Sequence, residues 1–180
     1  MKNEKEVVLI PISESDTDNI VRWRNAESVR RFLYTQTELT AEQHLHYFET
    51  VVKPGKCAQY IIQVPFREGM IDIGTVFIKN IDRRSRKGEF GMFIGEEAFR
   101  GKGYSFPAAK KMLRIAFSQL DLNRVYLSVM ADNTAAVKTY EKAGFVKEGL
   151  LKEDYLRSDG YIDVLIMGIT KHMWSKAEGE

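Results

Sequence analysis

The stretch Phe99-Arg100-Gly101-Lys102-Gly103-Tyr104-Ser105 stands between an apolar strand-like run, Glu89 to Ile94, and a helix-like run, Ala108 to Leu120. A strand, a glycine-rich turn and a helix start in that order restrict the fold to one that mixes strands and helices around an anion seat. The first N–H groups of a helix have no partner within it, and the helix dipole places partial positive charge there. Glycine permits positive φ and lets a ligand approach the backbone. Arg100 and Lys102 add full charges. Together these are the parts of a pyrophosphate seat.

The rest of the composition narrows what surrounds that seat. A chain of 180 residues fits one domain, spanning residues 1–180. A net charge of +2 is too small for general nucleic-acid binding, and no nucleic-acid partner is expected. One cysteine builds no internal disulfide, which points to a reducing cytoplasm. The residues from Met1 to Glu6 lead into only a short apolar run, so neither a signal peptide nor a membrane span is expected.

Periodicity supplies the elements. Val7 to Pro11 reads as a strand, and the caps of Ser13 to Asp18 open a helix carrying Ile20, Val21 and Trp23. A short helical stretch follows from Ala26 to Phe32. Thr40-Ala41-Glu42-Gln43 matches a capping box. Strands are expected at Ala58 to Val64, Ile71 to Ile78 and Glu89 to Ile94, the last two as an antiparallel hairpin. Gly91 marks a bulge or a point of close approach. Ala109, Met112, Leu113, Ala116, Phe117 and Leu120 form a helical stripe. A strand at Val125 to Met130, a helix at Asn133 to Ala143 and strands at Phe145 to Leu151 and Tyr161 to Ile169 complete the chain. The fold class is therefore α+β, and the mixture of antiparallel and crossover pieces argues against a repeating doubly wound fold.

Two familiar phosphate loops do not fit. A dinucleotide fingerprint needs glycine where Phe106 stands, and its acidic partner would be Asp121, which ends a helix. A P-loop needs Ser or Thr where Gly103 stands. What remains is Arg100-Gly101-x-Gly103-x-Ser105 with a second motif about thirty residues later, Asn133-Thr134-Ala135-Ala136-Val137-Lys138-Thr139-Tyr140-Glu141-Lys142-Ala143-Gly144-Phe145. The pair resembles the GNAT superfamily of acetyl-CoA-dependent N-acetyltransferases. Within it, Trp23-Arg24-Asn25, Glu148-Gly149 and the strand after Asp159-Gly160 resemble the branch of ribosomal-protein N-terminal, spermidine and amino-sugar-nucleotide acetyltransferases.

That resemblance implies a mostly antiparallel, splayed central sheet flanked by helices, with acetyl-CoA as cofactor. It assigns the CoA pyrophosphate to Arg100, Gly101, Lys102, Gly103, Tyr104 and Ser105, and the pantetheine arm to the backbone of Met92, Phe93 and Ile94. Asn133 would contact the cofactor, although it also suits a helix N-cap. Tyr140 would be the general acid for the departing thiolate, where spacing alone makes it a core tyrosine. Glu89 matches a glutamate that several relatives carry and is the candidate base, ahead of Ser128 and Asp163. Cys57 reads as structural. His44 and His46 lie two apart, share no helix face, and imply no metal.

The resemblance places a small-molecule amine acceptor against Trp23, Arg24, Asn25, Phe32 and Tyr34 and the segment Asp154 to Tyr161. Aromatic faces and a guanidinium suit a nucleotide-linked amino sugar. A polyamine would instead draw on Glu27, Glu38 and Glu42, and a peptide N-terminus is the other alternative. The family loop ends in Gly or Ala followed by Thr-Glu; here those positions hold Ser105, Phe106 and Pro107. The closing strand leaves room for a homodimer. A non-catalytic CoA-binding domain is the alternative of another class.

Overall fold

The computed structural model describes residues 5–179. Seven strands form one sheet: β1 (Val8–Pro11), β2 (Ala58–Phe66), β3 (Gly69–Asp82), β4 (Lys87–Ile94), β5 (Arg124–Met130), β6 (Val146–Arg157) and β7 (Gly160–Thr170). Their spatial order is β1-β2-β3-β4-β5-β7-β6. Every neighbouring pair is antiparallel except β4 and β5, which are parallel and register only at Lys87, Gly88 and Glu89. From Phe90 onward those two strands separate, while β4 stays paired with β3 as far as Ile94 and β5 with β7 as far as Met130. The expected mixed fold with a splayed, mostly antiparallel sheet is the one observed.

Helices cover both faces. One face carries α1 (Thr17–Asn25), α2 (Glu27–Arg30) and α3 (Ala41–Tyr47). Ile20 and Trp23 of α1 pack there with Ile12, Ile61 and Phe93. The other face carries α4 (Ser105–Arg114) and α5 (Thr134–Lys142). Ala108, Ala109, Met112, Leu113, Ala116 and Phe117 are buried against Ile62, Val76, Phe90 and Leu127 on that side. The period of two along β4 sends Phe90, Met92 and Ile94 to the α4 face and Phe93 to the α1 face. The Thr40 capping box forms as expected: Gln43 N–H donates to Thr40 Oγ1 at 3.2 Å, and Gln43 Oε1 accepts from Thr40 N–H at 2.9 Å.

Several boundaries differ from expectation. The α4 helix begins at Ser105 rather than Ala108, and its regular turns give way to a wider turn over Ile115–Gln119. Pro107 is its third residue, where a missing N–H leaves no hydrogen bond unmade. Gly91 is not a bulge: it pairs in register with Phe77, and the irregularity of that ladder lies between Lys79 and Asp82. Gly91 is instead the close approach, since a Cβ there would lie 2.3 Å from the Phe77 ring. The β6 strand runs six residues past Leu151, with register shifts between Lys147 and Gly149 and between Leu151 and Tyr155. A terminal helix, α6 (Lys171–Glu178), was not anticipated; Thr170 caps it, and Trp174 packs its ring 5.5 Å from that of Phe117. No described helix is long and apolar enough to cross a membrane.

Candidate active site

The strand separation opens a cleft of about 950 Å³ that runs from the loop before α4 to the helices α1, α2 and α3. At the loop end, Gly101 and Gly103 take φ of +68° and +87°. Nothing lies within 4 Å of where either Cβ would be. Only glycine adopts two such conformations at low cost, and the open space leaves the peptide edges bare. No side chain caps α4, and its first turn holds no acidic residue. The helix start is therefore free to receive negative charge.

The residues of this loop divide. Arg100, Gly101, Gly103 and Ser105 line the cleft, whereas Lys102 and Tyr104 do not. Tyr104 packs on Phe99, with ring centroids 5.9 Å apart, and Lys102 lies over the Phe99 ring. Arg100 is not a freely swinging cation: its Nε donates to Ile94 O at 2.9 Å and its Nη2 to Gly95 O at 2.8 Å. Those bonds clamp the loop to the end of β4. Phe106 lines the cleft where the family pattern has a threonine, and Lys142 sits 3.9 Å above its ring centroid. Lys138 and Lys142 also line the cleft, beside Asn133, Ala135, Ala136 and Thr139. Neither lysine was singled out in the sequence, although Ala135, Lys138 and Lys142 lie at the i, i+3, i+7 spacing that puts side chains on one helix face. Asn133 caps α5, its Oδ1 accepting from Ala136 N–H at 3.3 Å, and reaches the cleft as well.

In the middle of the cleft lie Glu89, Gly91, Met92, Phe93 and Ile94 from β4 and Leu127, Ser128 and Val129 from β5. Asn80 Nδ2 donates to Glu89 Oε2 at 2.8 Å, and Lys79 Nζ lies 3.1 Å from Oε1. Asp163, the other carboxylate considered, is held by Lys152 at 2.7 Å and lies outside the cleft. Tyr140 faces the cleft from α5 but is only 7% exposed. The rings of Phe90 and Phe145 flank it at 5.6 and 5.9 Å, and burial pushes its hydroxyl up to about 12.

At the α1 end, two expected acceptor residues prove to be scaffold. Trp23 is 1% exposed, and a Cβ on Gly95 would strike its ring at 2.1 Å. Its Nε1 donates to Glu96 Oε1 at 2.7 Å, and Arg22 pairs with the same carboxylate. Both partners hold Glu96 below the usual carboxylate range, Arg22 foremost. Trp23 thus ties α1 to the end of β4 and leaves no ring face for a ligand. Asn25 donates to Leu39 O and accepts from Leu39 N–H, both at 2.8 Å, which pins the loop before α3. Arg24 and Tyr34 do line the cleft. Burial raises the Tyr34 hydroxyl, a hydrogen bond with Ser128 opposes that shift, and Tyr155 meets its ring edge-on at 5.4 Å. Cys57 is 2% exposed and its thiol is pushed up to about 11 by burial, so it stays protonated near neutrality.

The family model described as an acetyltransferase (GNAT) domain matches residues 6–146. The chain belongs to this GNAT family. Among GNAT relatives, the putative ribosomal N-acetyltransferase YdaF of Bacillus subtilis (strain 168) is 32% identical over 107 residues, 59% of this chain and 56% of that protein. The match thus spans little more than half of that relative's length. The spermidine N(1)-acetyltransferase of Escherichia coli (strain K12) is 24% identical over 174 residues, 97% of this chain and 91% of that protein. Among solved structures, spermidine N-acetyltransferase from Vibrio cholerae in complex with CoA and spermine aligns with a TM-score of 0.86 at 23% identity, covering 94% of this chain and 98% of that one. That likeness is one of fold.

Proposed function

We propose that this chain is an N-acetyltransferase that moves the acetyl group of acetyl-CoA directly to a primary amine. One observation carries the reading. A single cleft in a GNAT domain joins an uncapped helix start behind two positive-φ glycines to the gap between β4 and β5. The pyrophosphate is placed on the N–H groups of the loop and the first turn of α4, with Lys138 and Lys142 supplying charge beside it. The pantetheine arm lies along the backbone of Met92, Phe93 and Ile94, where β4 has lost its β5 partner.

The chemistry follows from that placement. A lysine-like amine has a pKa near ~10 and arrives as ammonium, so a proton must leave before nitrogen can attack. Glu89, held at the cleft wall by Lys79 and Asn80, takes that proton directly or through water. The nitrogen then bonds to the thioester carbon, the carbon–sulfur bond breaks, and CoA leaves as thiolate. Tyr140 donates to the sulfur. Its value of about 12 lies above a thiol's ~8.5, so it serves chiefly as a hydrogen-bond donor while sulfur gains charge. Nitrogen loses two protons in all, one as ammonium to Glu89 before attack and one after the carbon–nitrogen bond forms; one proton ends on the CoA sulfur and the other passes to solvent, which balances the reaction.

The acceptor is a small amine. Spermidine acetyltransferases recur among the relatives and the similar structures, which supports a polyamine over a nucleotide-linked amino sugar. The test is release of free thiol from acetyl-CoA against polyamines, amino-sugar nucleotides, aminoglycosides and N-terminal peptides. Release with at least one class is expected. Thermal stabilisation by acetyl-CoA without any release would favour a non-catalytic CoA-binding domain.

A further inference from the structure

Arg24 differs from the chain's other shielded arginines. Five arginines are less than fully exposed: Arg24, Arg30, Arg100, Arg124 and Arg157. Arg30 pairs with Glu27 and Glu38, Arg124 with Glu148, and Arg157 with Asp132 and Asp159. Arg100 binds two backbone carbonyls. Arg24 has no hydrogen bond, ion pair or ring contact among the described residues, yet it lines the cleft. Burial alone lowers its pKa, with no charged neighbour contributing. A partly buried guanidinium on a cleft wall, with no partner among the described residues, is placed to receive an oxyanion from whatever fills the cleft.

Its surroundings say what the partner must be. Thr17, Ile20 and Arg24 lie at i, i+3 and i+7 on α1 and so share one face. Thr17 Oγ1 lies 3.0 Å from His44 Nδ1 on α3, and Ile20, Arg24 and His44 all line the cleft. His44 is 3% exposed, and its Nε2 is a buried polar atom with no partner. The remaining wall mixes apolar Val29, Phe32 and Leu39 with the neutral polar groups of Ser28, Gln43 and Gln59 and adds no charge. Among the described residues the carboxylate that lines the cleft is Glu89, and none lines it beside Arg24. Glu27 and Glu38 pair with Arg30, Glu42 does not reach the cleft, Glu89 is the base for the reacting amine, and Asp154 acts on Tyr34 from outside the cleft lining.

We propose that the acceptor amine carries an anionic group, carboxylate or phosphate, which the Arg24 guanidinium receives while the amine faces Glu89. This rests on the acetyl-transfer reading above and departs from it on the acceptor, setting the unpartnered guanidinium of this chain against the polyamine that the relatives' names favour. A planar guanidinium holds either oxyanion through two parallel hydrogen bonds. CoA phosphates already have the α4 start, Lys138 and Lys142, so the anion assigned to Arg24 belongs to the acceptor.

The experiment measures thiol release by the intact protein with matched amines. L-Phenylalanine against L-phenylalaninamide is the carboxylate arm, glucosamine 6-phosphate against glucosamine is the phosphate arm, and spermidine is the cationic control. In at least one arm the anionic member is expected to have the higher kcat/KM, by about 10- to 100-fold, the range of one charged hydrogen-bonded contact. Arg24→Gln should erase that preference through KM with kcat little changed, because the contact binds ground and transition states alike. Arg24→Lys should restore part of it. Thermal stabilisation by acetyl-CoA should be the same in both variants as in the parent, which also shows that they fold. Equal or better turnover of spermidine or the neutral amines would overturn the proposal, as would a preference that survives Arg24→Gln. Loss of acetyl-CoA stabilisation in Arg24→Gln would overturn it too, by moving the anion to the donor. No thiol release from any amine would overturn the acetyl-transfer reading and this proposal with it.

Discussion

Tyr140 is nearly enclosed by Phe90 and Phe145, and the same enclosure sets both its chemistry and its effect on stability. Tyr140→Phe keeps the ring and removes one oxygen. We expect kcat to fall by about 10²-fold or more, the usual scale for a lost acid, with acetyl-CoA affinity retained. An unchanged kcat would remove Tyr140 from the reaction. The raised pKa has a second consequence. An unfolded tyrosine ionises near ~10, but this one holds its proton to about 12, so folding favours the protonated form. That stability is fully present below pH ~10 and is lost as pH rises toward about 12. Melting temperatures of the parent should therefore decline more steeply across that window than those of Tyr140→Phe. Parallel slopes would mean that the hydroxyl is not shielded.

At the scale of elements, two of the three glycines between β4 and α4, Gly95 and Gly101, are constrained in different ways. Gly101 needs positive φ but has open space, so Gly101→Ala should cost about 1 kcal/mol of backbone strain. It should also blunt stabilisation by acetyl-CoA. Gly95 has ordinary φ but no space, because Trp23 lies where its Cβ would go. Gly95→Ala should cost about 3 kcal/mol, seen in denaturant melts, and should alter the Trp23 fluorescence. A reversed ranking would sink the account of Trp23 as a brace. These elements also show what a sequence discloses. The α4 loop, the Thr40 box and the stripe from Ala109 to Leu120 were legible because capping, glycine and period-3.6 patterns are local. The start of α4 at Ser105 was masked by Pro107, which suits a first turn as well as a boundary. The β6 extension past Leu151 was hidden because that edge strand is exposed along nearly its whole length and shows no buried alternation. Trp23 and Asn25 were assigned to the acceptor by the resemblance, and a motif match does not tell which side of α1 meets the sheet. Lys138 and Lys142 gave only helical spacing, which marks a face without saying what it faces.

For the whole molecule, donor binding and folding are linked. A ligand that binds only the native state at 100 times its Kd adds about 2.7 kcal/mol. For a chain of this length that is about 5–10 °C in Tm. Acetyl-CoA should produce such a shift, and its absence at millimolar ligand would count against the seat in front of α4. The parting of β4 from β5 carries a broader consequence. Beyond Glu89 the sheet contains two strand margins in its interior, where each strand has lost one neighbour. Exposed margins elsewhere in proteins invite a second chain to add a strand. Here the margins face each other across the cleft that the helices flank. On the proposed reading the amide groups of the pantetheine arm would pair with the free margin of β4, so that a metabolite takes the place a further strand takes elsewhere.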